Sequence, residues 1–418
     1  MKSLQALYRI GRGPSSSHTM GPGFAAEAFR RNAPDASRIR ITLYGSLAAT
    51  GKGHLTDLAV SEPFSPLQVE LIWRPTEELP RHPNGLRFEA LDATDRVIKE
   101  EICYSVGGGA LMNDAGEIDG GEEVYPFASM QQILQRADEE GLALWEYVEQ
   151  YEGPSIWPYL AGIYRAMKNA IGHGLETEGV LPGMLHLARK AGAYQARANS
   201  MSEPFRQTGR VFSYALAVSE ENASGHTIVT APTCGACGVL PAVLFNLQEQ
   251  NRLSEDKILR ALATAGLIGN LIKRNASISG AEVGCQGEVG SACAMAAAAA
   301  TQLLGGTTRQ IEYAAEMGLE HHLGLTCDPI AGYVQIPCIE RNAVAAVRAL
   351  DCATFALLSD GRHHISFDEV VQTMWETGKD LKTGYRETAQ GGLAKIHFMR
   401  VKKAFDAAGK ETHPIGNP

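Results

Sequence analysis

The sequence has no apolar run approaching the ~18 residues that a membrane-crossing helix needs. The stretch at 291–304 comes nearest, but Thr301 and Gln302 interrupt it and Gly305 and Gly306 end it. The first ten residues, with Lys2, Gln5 and Arg9 spread among them, lack the apolar centre of a secretory signal. A basic block is missing too. With 38 Lys and Arg against 47 Asp and Glu, the formal charge is −9, which argues against nucleic acid or an anionic membrane as the main partner. There is no internal repeat. The expectation is a soluble, cytoplasmic protein. Its 44% apolar and 20% charged residues are ordinary for a globular chain. Glycine, at 44 of 418, exceeds the usual ~7% and promises turns and close backbone approaches.

Two regions differ in period. Up to about residue 126, Ile39, Ile41 and Leu43 alternate with polar residues, as do Leu67, Val69, Leu71 and Trp73, and then Leu86, Phe88 and Ala90. Another extended run leads to Tyr104, and 24–31 reads as a helix. This predicts a small α+β domain over 1–126. Helical spacing dominates afterwards, at 131–151, 157–171, 185–199, 254–274, 292–304, 309–319, 340–358 and 366–381, so 127–418 is expected to be a large, almost all-helical domain. Ser366 followed by Glu369 is a capping box that fixes the start of the last of these. Segments 113–122 and 172–183 are linker candidates.

Three loops of the first region carry chemistry. The first, at 11–22, brings Ser15, Ser16, Ser17, His18 and Thr19 together between Gly-Pro pairs, just before a helix. Its hydroxyls and the helix N-terminus suit an anion such as a carboxylate. The second carries Ser46, Lys52 and His54 around a flexible glycine pair. It lacks the spacing of a phosphate loop, and His54 is a general-base candidate. The third, Tyr-Ser-Val-Gly-Gly-Gly at 104–109, offers Ser105, Gly107 and Gly108 at a strand end.

Eight cysteines in such a chain are not a disulfide framework, so metal, catalysis or packing must explain them. Cys285, Cys327 and Cys338 each lie in or beside a Gly- or Pro-containing loop, spaced by 42 and then 11 residues. Three thiolates with one position open suit an iron–sulfur centre that binds substrate, whereas a cluster for electron transfer alone is normally held by four. Zinc with three ligands and a water is the competing reading. Cys103, Cys293 and Cys352 read as core residues. Cys234 and Cys237 form a Cys-x-x-Cys before a helix from Val239, open to redox, metal or packing roles.

Longer motifs resemble a known family. They are Gly-Pro-Ser-Ser-Ser-His-Thr-x-Gly-Pro at 13–22, Tyr-Gly-Ser-Leu-x-x-Thr-Gly-Lys-Gly-His at 44–54 and the loop at 104–109. Thr-Ala-Pro-Thr at 230–233 and Asn-Ala-Ser-Ile-Ser-Gly-Ala-Glu-Val-Gly-Cys-Gln-Gly-Glu-Val-Gly-Ser-Ala-Cys at 275–293 follow in order. Gly-Leu-Thr-Cys-Asp-Pro at 324–329 and Gln-Ile-Pro-Cys-Ile-Glu-Arg-Asn at 335–342 complete the set. Together they resemble the iron–sulfur-dependent L-serine dehydratases over nearly the whole chain. The resemblance implies an N-terminal domain like the allosteric substrate-binding domain of some phosphoglycerate dehydrogenases, followed by a helical domain. It implies a [4Fe–4S] cluster on Cys285, Cys327 and Cys338, with His18 and His54 catalytic, and a homodimer. Ser15, Ser16, Ser17, Thr19, Ser46, Lys52, Ser105, Gly107 and Gly108 are then the expected substrate-binding set for L-serine. Two departures stand out: the last cysteine is Cys352, where such chains commonly end in one, and Thr-Cys-Gly-Ala-Cys-Gly at 233–238 replaces a thiol-free segment. The fourth position is therefore expected to be open or water-bound, with Cys234 or Cys237 as the candidate fourth ligand. The implied reaction is β-elimination of water from L-serine to give pyruvate and ammonia without pyridoxal phosphate. The same chemistry on threonine or cysteine, or a non-catalytic sensor of serine or of iron–sulfur status, are the alternatives.

Overall fold

The computed structural model describes residues 1–407 apart from 83, 119, 120 and 204. Residues beyond 407, including the rest of the basic C-terminal segment, lie outside the described part.

The chain enters through β1 (Ile10–Arg12) and α1 (Gly21–Asn32), then β2 (Arg38–Tyr44), α2 (Gly45–Thr50), α3 (Thr56–Ser61) and β3 (Gln68–Arg74). The strands β4 (Gly85–Leu91), β5 (Val97–Ser105), β6 (Leu111–Asn113) and β7 (Gly116–Glu117) follow. They form a six-stranded sheet in the order β3-β2-β4-β5-β6-β7, with β2 and β3 parallel and the other pairs antiparallel. The period-2 pattern explains the packing. Ile39, Ile41 and Leu43 are fully buried with Leu86 and Phe88, and Phe29 of α1 stacks on Phe88 with ring centroids 5.2 Å apart. The alternate positions carry charge: Arg38 and Arg40 pair with Glu70, and Arg87 with Glu100. The segment expected to be a linker at 113–122 begins as the β6–β7 hairpin.

The helical body comprises α4 (Met130–Glu140), α5 (Leu144–Glu152), α6 (Ile156–Glu176), α7 (Ala191–Asn199), α8 (Phe205–Ala223), the short β8 (Thr227–Val229) and α9 (Val239–Asn251). It continues with α10 (Glu255–Asn275), α11 (Gly280–Val283), α12 (Ser291–Leu303), α13 (Thr308–Glu320), α14 (Cys338–Leu358), α15 (Phe367–Asp380) and α16 (Gly392–Ala407). At its centre α12 is buried almost throughout and packs against α9, α10, α13 and α14. Its alanines permit that closeness, because a helix apolar on all sides must be enclosed. Among the described residues no helix is long and apolar enough to cross a membrane.

Several expected elements shift. The helix expected over 131–151 is two, because Gly141 at φ +69 caps α4 in the left-handed conformation. Gly172 and Gly174 lie inside α6 rather than in a linker; a Cβ on Gly174 would meet the Ala217 carbonyl oxygen at 2.4 Å, so glycine lets α6 press onto α8. The helix expected from 185 begins only at Ala191. The chain also crosses between bodies. Leu4, Leu7 and Tyr8 belong to the helical core, Tyr8 donates to the Leu262 carbonyl at 3.0 Å, and β1 pairs antiparallel with β8. The serine-rich loop therefore runs from a strand fixed on the helical body to a helix of the sheet body.

Candidate functional site

Where the two bodies meet, a narrow pocket is lined by Ser15, Ser16, Ser17, Gly107 and Gly108 from one side and by Thr233, Gly235, Ser279, Gly280, Glu288, Cys327, Cys338 and Glu387 from the other. Ser15 is the N-cap of a wide turn over Ser16–Met20, its hydroxyl accepting from the His18 N–H, and that turn runs directly into α1. The glycine loop closes through an Ala110 N–H to Gly107 carbonyl bond. Gly107 and Gly108 have φ of +97 and +57, which side chains larger than glycine's rarely adopt.

His18 and His54 sit behind the serine wall and do not line the pocket, with ring centroids 4.7 Å apart and both residues almost fully buried. His18 is engaged on both sides, with Nδ1 2.9 Å from Ser17 Oγ and Nε2 2.9 Å from Ser46 Oγ. His54 Nδ1 meets Thr50 Oγ1 at 3.2 Å, while its buried Nε2 has no partner. Thr19 Oγ1 donates to the His54 carbonyl at 2.6 Å and Thr56 Oγ1 to the His18 carbonyl at 2.6 Å, so two threonines lock the pair together. Burial pushes His54 down to about 4. It also holds His18 well below the usual imidazole value, helped by His54 and His82. Burial thus favours the neutral form of both rings.

Across the pocket, Cys285 follows α11 and precedes the turn over Gln286–Gly290. Cys327 lies in an extended segment strapped by the chain around 386: its N–H donates to the Tyr385 carbonyl at 2.8 Å and its carbonyl accepts from the Glu387 N–H at 2.8 Å. Cys338 is the first residue of α14. The Cys285 and Cys327 sulfurs each lie 3.9 Å from Glu288 Oε2, and the three ligand atoms fall within 4.8 Å of one another. The Cys327 thiol is raised by its contact with Cys285 and by burial; Cys338 is raised by burial and then by Cys285. Arg341 stands beside Cys285 and Cys338, its Nη1 tied to the Thr326 carbonyl at 2.6 Å. Gly280 must lack a side chain, because a Cβ there would sit 2.7 Å from Glu288 Oε2 and 3.1 Å from Cys327 Sγ.

Several expected site residues are placed elsewhere. Lys52 is exposed, its Nζ 5.8 Å from the Trp73 ring centre, and it does not line the pocket. Ser46 and Thr19 are spent on the histidines, and Ser105 is fully buried against Gly21. Cys234 and Cys237 are buried beneath the pocket wall, which Thr233 and Gly235 form instead; burial raises both thiols. Neither cysteine is among the residues that line the pocket. Their turn is structural, held by Asn342, which donates to the Gly235 carbonyl at 2.7 Å and accepts from the Gly238 N–H at 2.9 Å. Cys103, Cys293 and Cys352 lie buried in β5, α12 and α14, as expected.

Sequence reasoning missed two carboxylates. Glu288 lines the pocket, accepts from Thr233 Oγ1 at 2.8 Å and is raised by burial. Its position three residues after Cys285 in a tight turn was a usable signal. Glu387, at φ +58, is pushed up to about 8 by burial and by Glu288. Nothing local marks it, since it reaches the site through the strap beside Cys327.

Comparison with known proteins places both regions of the chain in one family. The family model described as serine dehydratase alpha chain matches residues 128–394, and the model described as serine dehydratase beta chain matches 3–65 and 62–116. The chain is 40% identical to the L-serine dehydratase of Haemophilus influenzae, over 94% of this chain and 99% of the relative. It is 41% identical to L-serine dehydratase 1 of Escherichia coli over 94% and 99%, and 41% identical to the L-serine dehydratase of Streptomyces coelicolor over 94% and 98%.

Proposed function

The chain belongs to the L-serine dehydratases, with the alpha and beta regions in one polypeptide, and we propose that it converts L-serine to pyruvate and ammonia using a [4Fe–4S] cluster held by Cys285, Cys327 and Cys338. One observation carries the reading: hydroxyls and backbone of the sheet body line the same pocket as thiols of the helical body. The donor set fits such a cluster, since buried thiols that repel one another as thiolates need a cationic partner to ionise. When bound, the cluster supplies Lewis acidity toward the serine carboxylate and β-hydroxyl.

The protein's own residues do the rest. Ser15, Ser16, Ser17 and the Gly107–Gly108 backbone bind and orient the substrate carboxylate. His54 takes the Cα proton at Nε2, a neutral nitrogen with no competing partner. His18, bonded at both nitrogens, orients Ser17 and Ser46. The pocket walls keep bulk water from the reacting carbon. The aminoacrylate released by loss of water tautomerises to an imine and hydrolyses.

Glu288 favours a second reading, a single zinc ion on Cys285, Cys327 and Glu288, because zinc sites recruit carboxylates. Anaerobic pyruvate or 2-oxobutyrate assays on L-serine, L-threonine and L-cysteine test the substrate. The expected order places serine highest in kcat/KM; a preference for threonine or cysteine reassigns the pocket, and no turnover of any supports a sensor.

A further inference from the structure

Three residues with no part in this chemistry converge outside the cysteine pocket. His173 lies in the last turn of α6, Glu221 in the last turn of α8, and His226 just before β8. We propose that they form a binding site for one divalent d-block cation of the zinc class.

Their ligand atoms lie within 4.8 Å of one another. His173 Nδ1 is 2.5 Å and His226 Nδ1 2.8 Å from the same carboxylate oxygen, Glu221 Oε2. The rings stand edge to face at 84°, centroids 5.3 Å apart, with both Nδ1 atoms on the same carboxylate oxygen. The other carboxylate oxygen is held by Arg189, whose Nη1 donates to Oε1 at 2.8 Å and whose Nη2 donates to Ser224 Oγ at 2.7 Å. Arg189 and Glu221 are 5% and 3% exposed, so the carboxylate is set in place with one oxygen presented to the imidazoles. Such outer bonding is what orients a metal-binding carboxylate.

Two imidazole nitrogens and one carboxylate oxygen suit zinc and its neighbours, whereas calcium and magnesium take oxygen donors. The histidines are 59% and 45% exposed and open on a cavity of about 430 Å³, which gives an ion access and leaves its remaining positions to water or a small ligand. Hydrogen bonding alone would require both rings to carry the proton on Nδ1. Metal binding requires the opposite, Nδ1 bare and Nε2 protonated, so the tautomer separates the two cases.

The place of the site suggests its use. The His226 carbonyl accepts from the Gly13 N–H at 3.1 Å, and Asn222 Nδ2 donates to the Pro14 carbonyl at 2.9 Å. An ion joining α6, α8 and His226 therefore clamps the base of the serine-rich loop.

The test is cobalt(II) titration of the intact holoenzyme, followed by visible absorption and equilibrium dialysis. One cobalt per chain is expected, with ligand-field bands and no sulfur-to-cobalt charge transfer. Affinity should fall at least about tenfold in His173→Ala and in His226→Ala. Zinc should raise the thermal midpoint of the wild type and not of these variants, and imidazole nitrogen shifts should report bare Nδ1 on binding. Both replaced side chains are largely exposed, so the fold should survive, as circular dichroism would verify. Unchanged cobalt affinity in both variants, or a charge-transfer band on the bound ion, would overturn the proposal.

Discussion

The chemistry proposed for the sheet body rests on one atom of His54. Its Nε2 is buried and unpartnered, which costs stability unless a substrate or water uses it. His54→Ala should lower kcat by roughly 10²- to 10⁴-fold while visible absorption and serine affinity persist. Loss of absorption in that variant would make His54 a structural residue. The pH dependence follows from its depressed value. With His54 at about 4, the base stays unprotonated well below the ordinary imidazole range, so kcat/KM should stay flat as pH falls from 8 through 6.5. A half-loss near 6.5 would contradict this assignment. The same depression means that the folded state binds fewer protons than the unfolded chain between about 4 and 6.5, so stability should decline across that window on acidification. Lys52 gives the complementary control. Because it lies over Trp73 outside the pocket, Lys52→Ala should leave KM for serine unchanged.

Single helices show what a sequence pattern can and cannot carry. Ser366 and Glu369 form the expected capping box at the start of α15, legible because a cap depends on residues three apart. Between them Asp368 does something no local pattern records: it accepts from Ser129 Oγ at 2.8 Å and from the Met130 and Gln131 N–H groups at 2.9 and 3.0 Å, capping α4 from another helix. Asp368→Ala should therefore cost about 1–2 kcal/mol, read as a lowered denaturation midpoint with unchanged kcat. The absence of any shift would show that the bonds are replaced by water. Helix α8 escaped detection for a related reason. Its last turns bury Glu220, Glu221 and Asn222, polar residues satisfied only by partners such as Arg189 and Pro14. The α+β and helical regions were legible from their periods, and the motifs marked Cys285, Cys327, Cys338, His18 and His54. Glu288, Glu387 and the strap around 386 were not, because long-range packing alone brings them to the pocket.

For the molecule as a whole, the candidate site lies where the sheet and helical bodies meet. The first eight residues and β1 anchor on the helical core, so the serine-rich loop is fixed relative to Cys327 and Cys338 by a strand pair rather than by a free hinge. Gly280 makes the approach possible on the opposite wall. Gly280→Ala should reduce cluster occupancy and activity together, because its Cβ would intrude on Glu288 and Cys327. The chemistry of the helical body rests on the cluster proposed for Cys285, Cys327 and Cys338. Its most direct measurement is the iron, acid-labile sulfide and zinc content of anaerobically purified wild type beside Cys285→Ala, Cys327→Ala, Cys338→Ala and Cys293→Ala. The prediction is about four iron and four sulfide per chain in the wild type and in Cys293→Ala, and loss of both in the other three variants. About one zinc per chain without sulfide, or a cluster retained when Cys338 is removed, would contradict it.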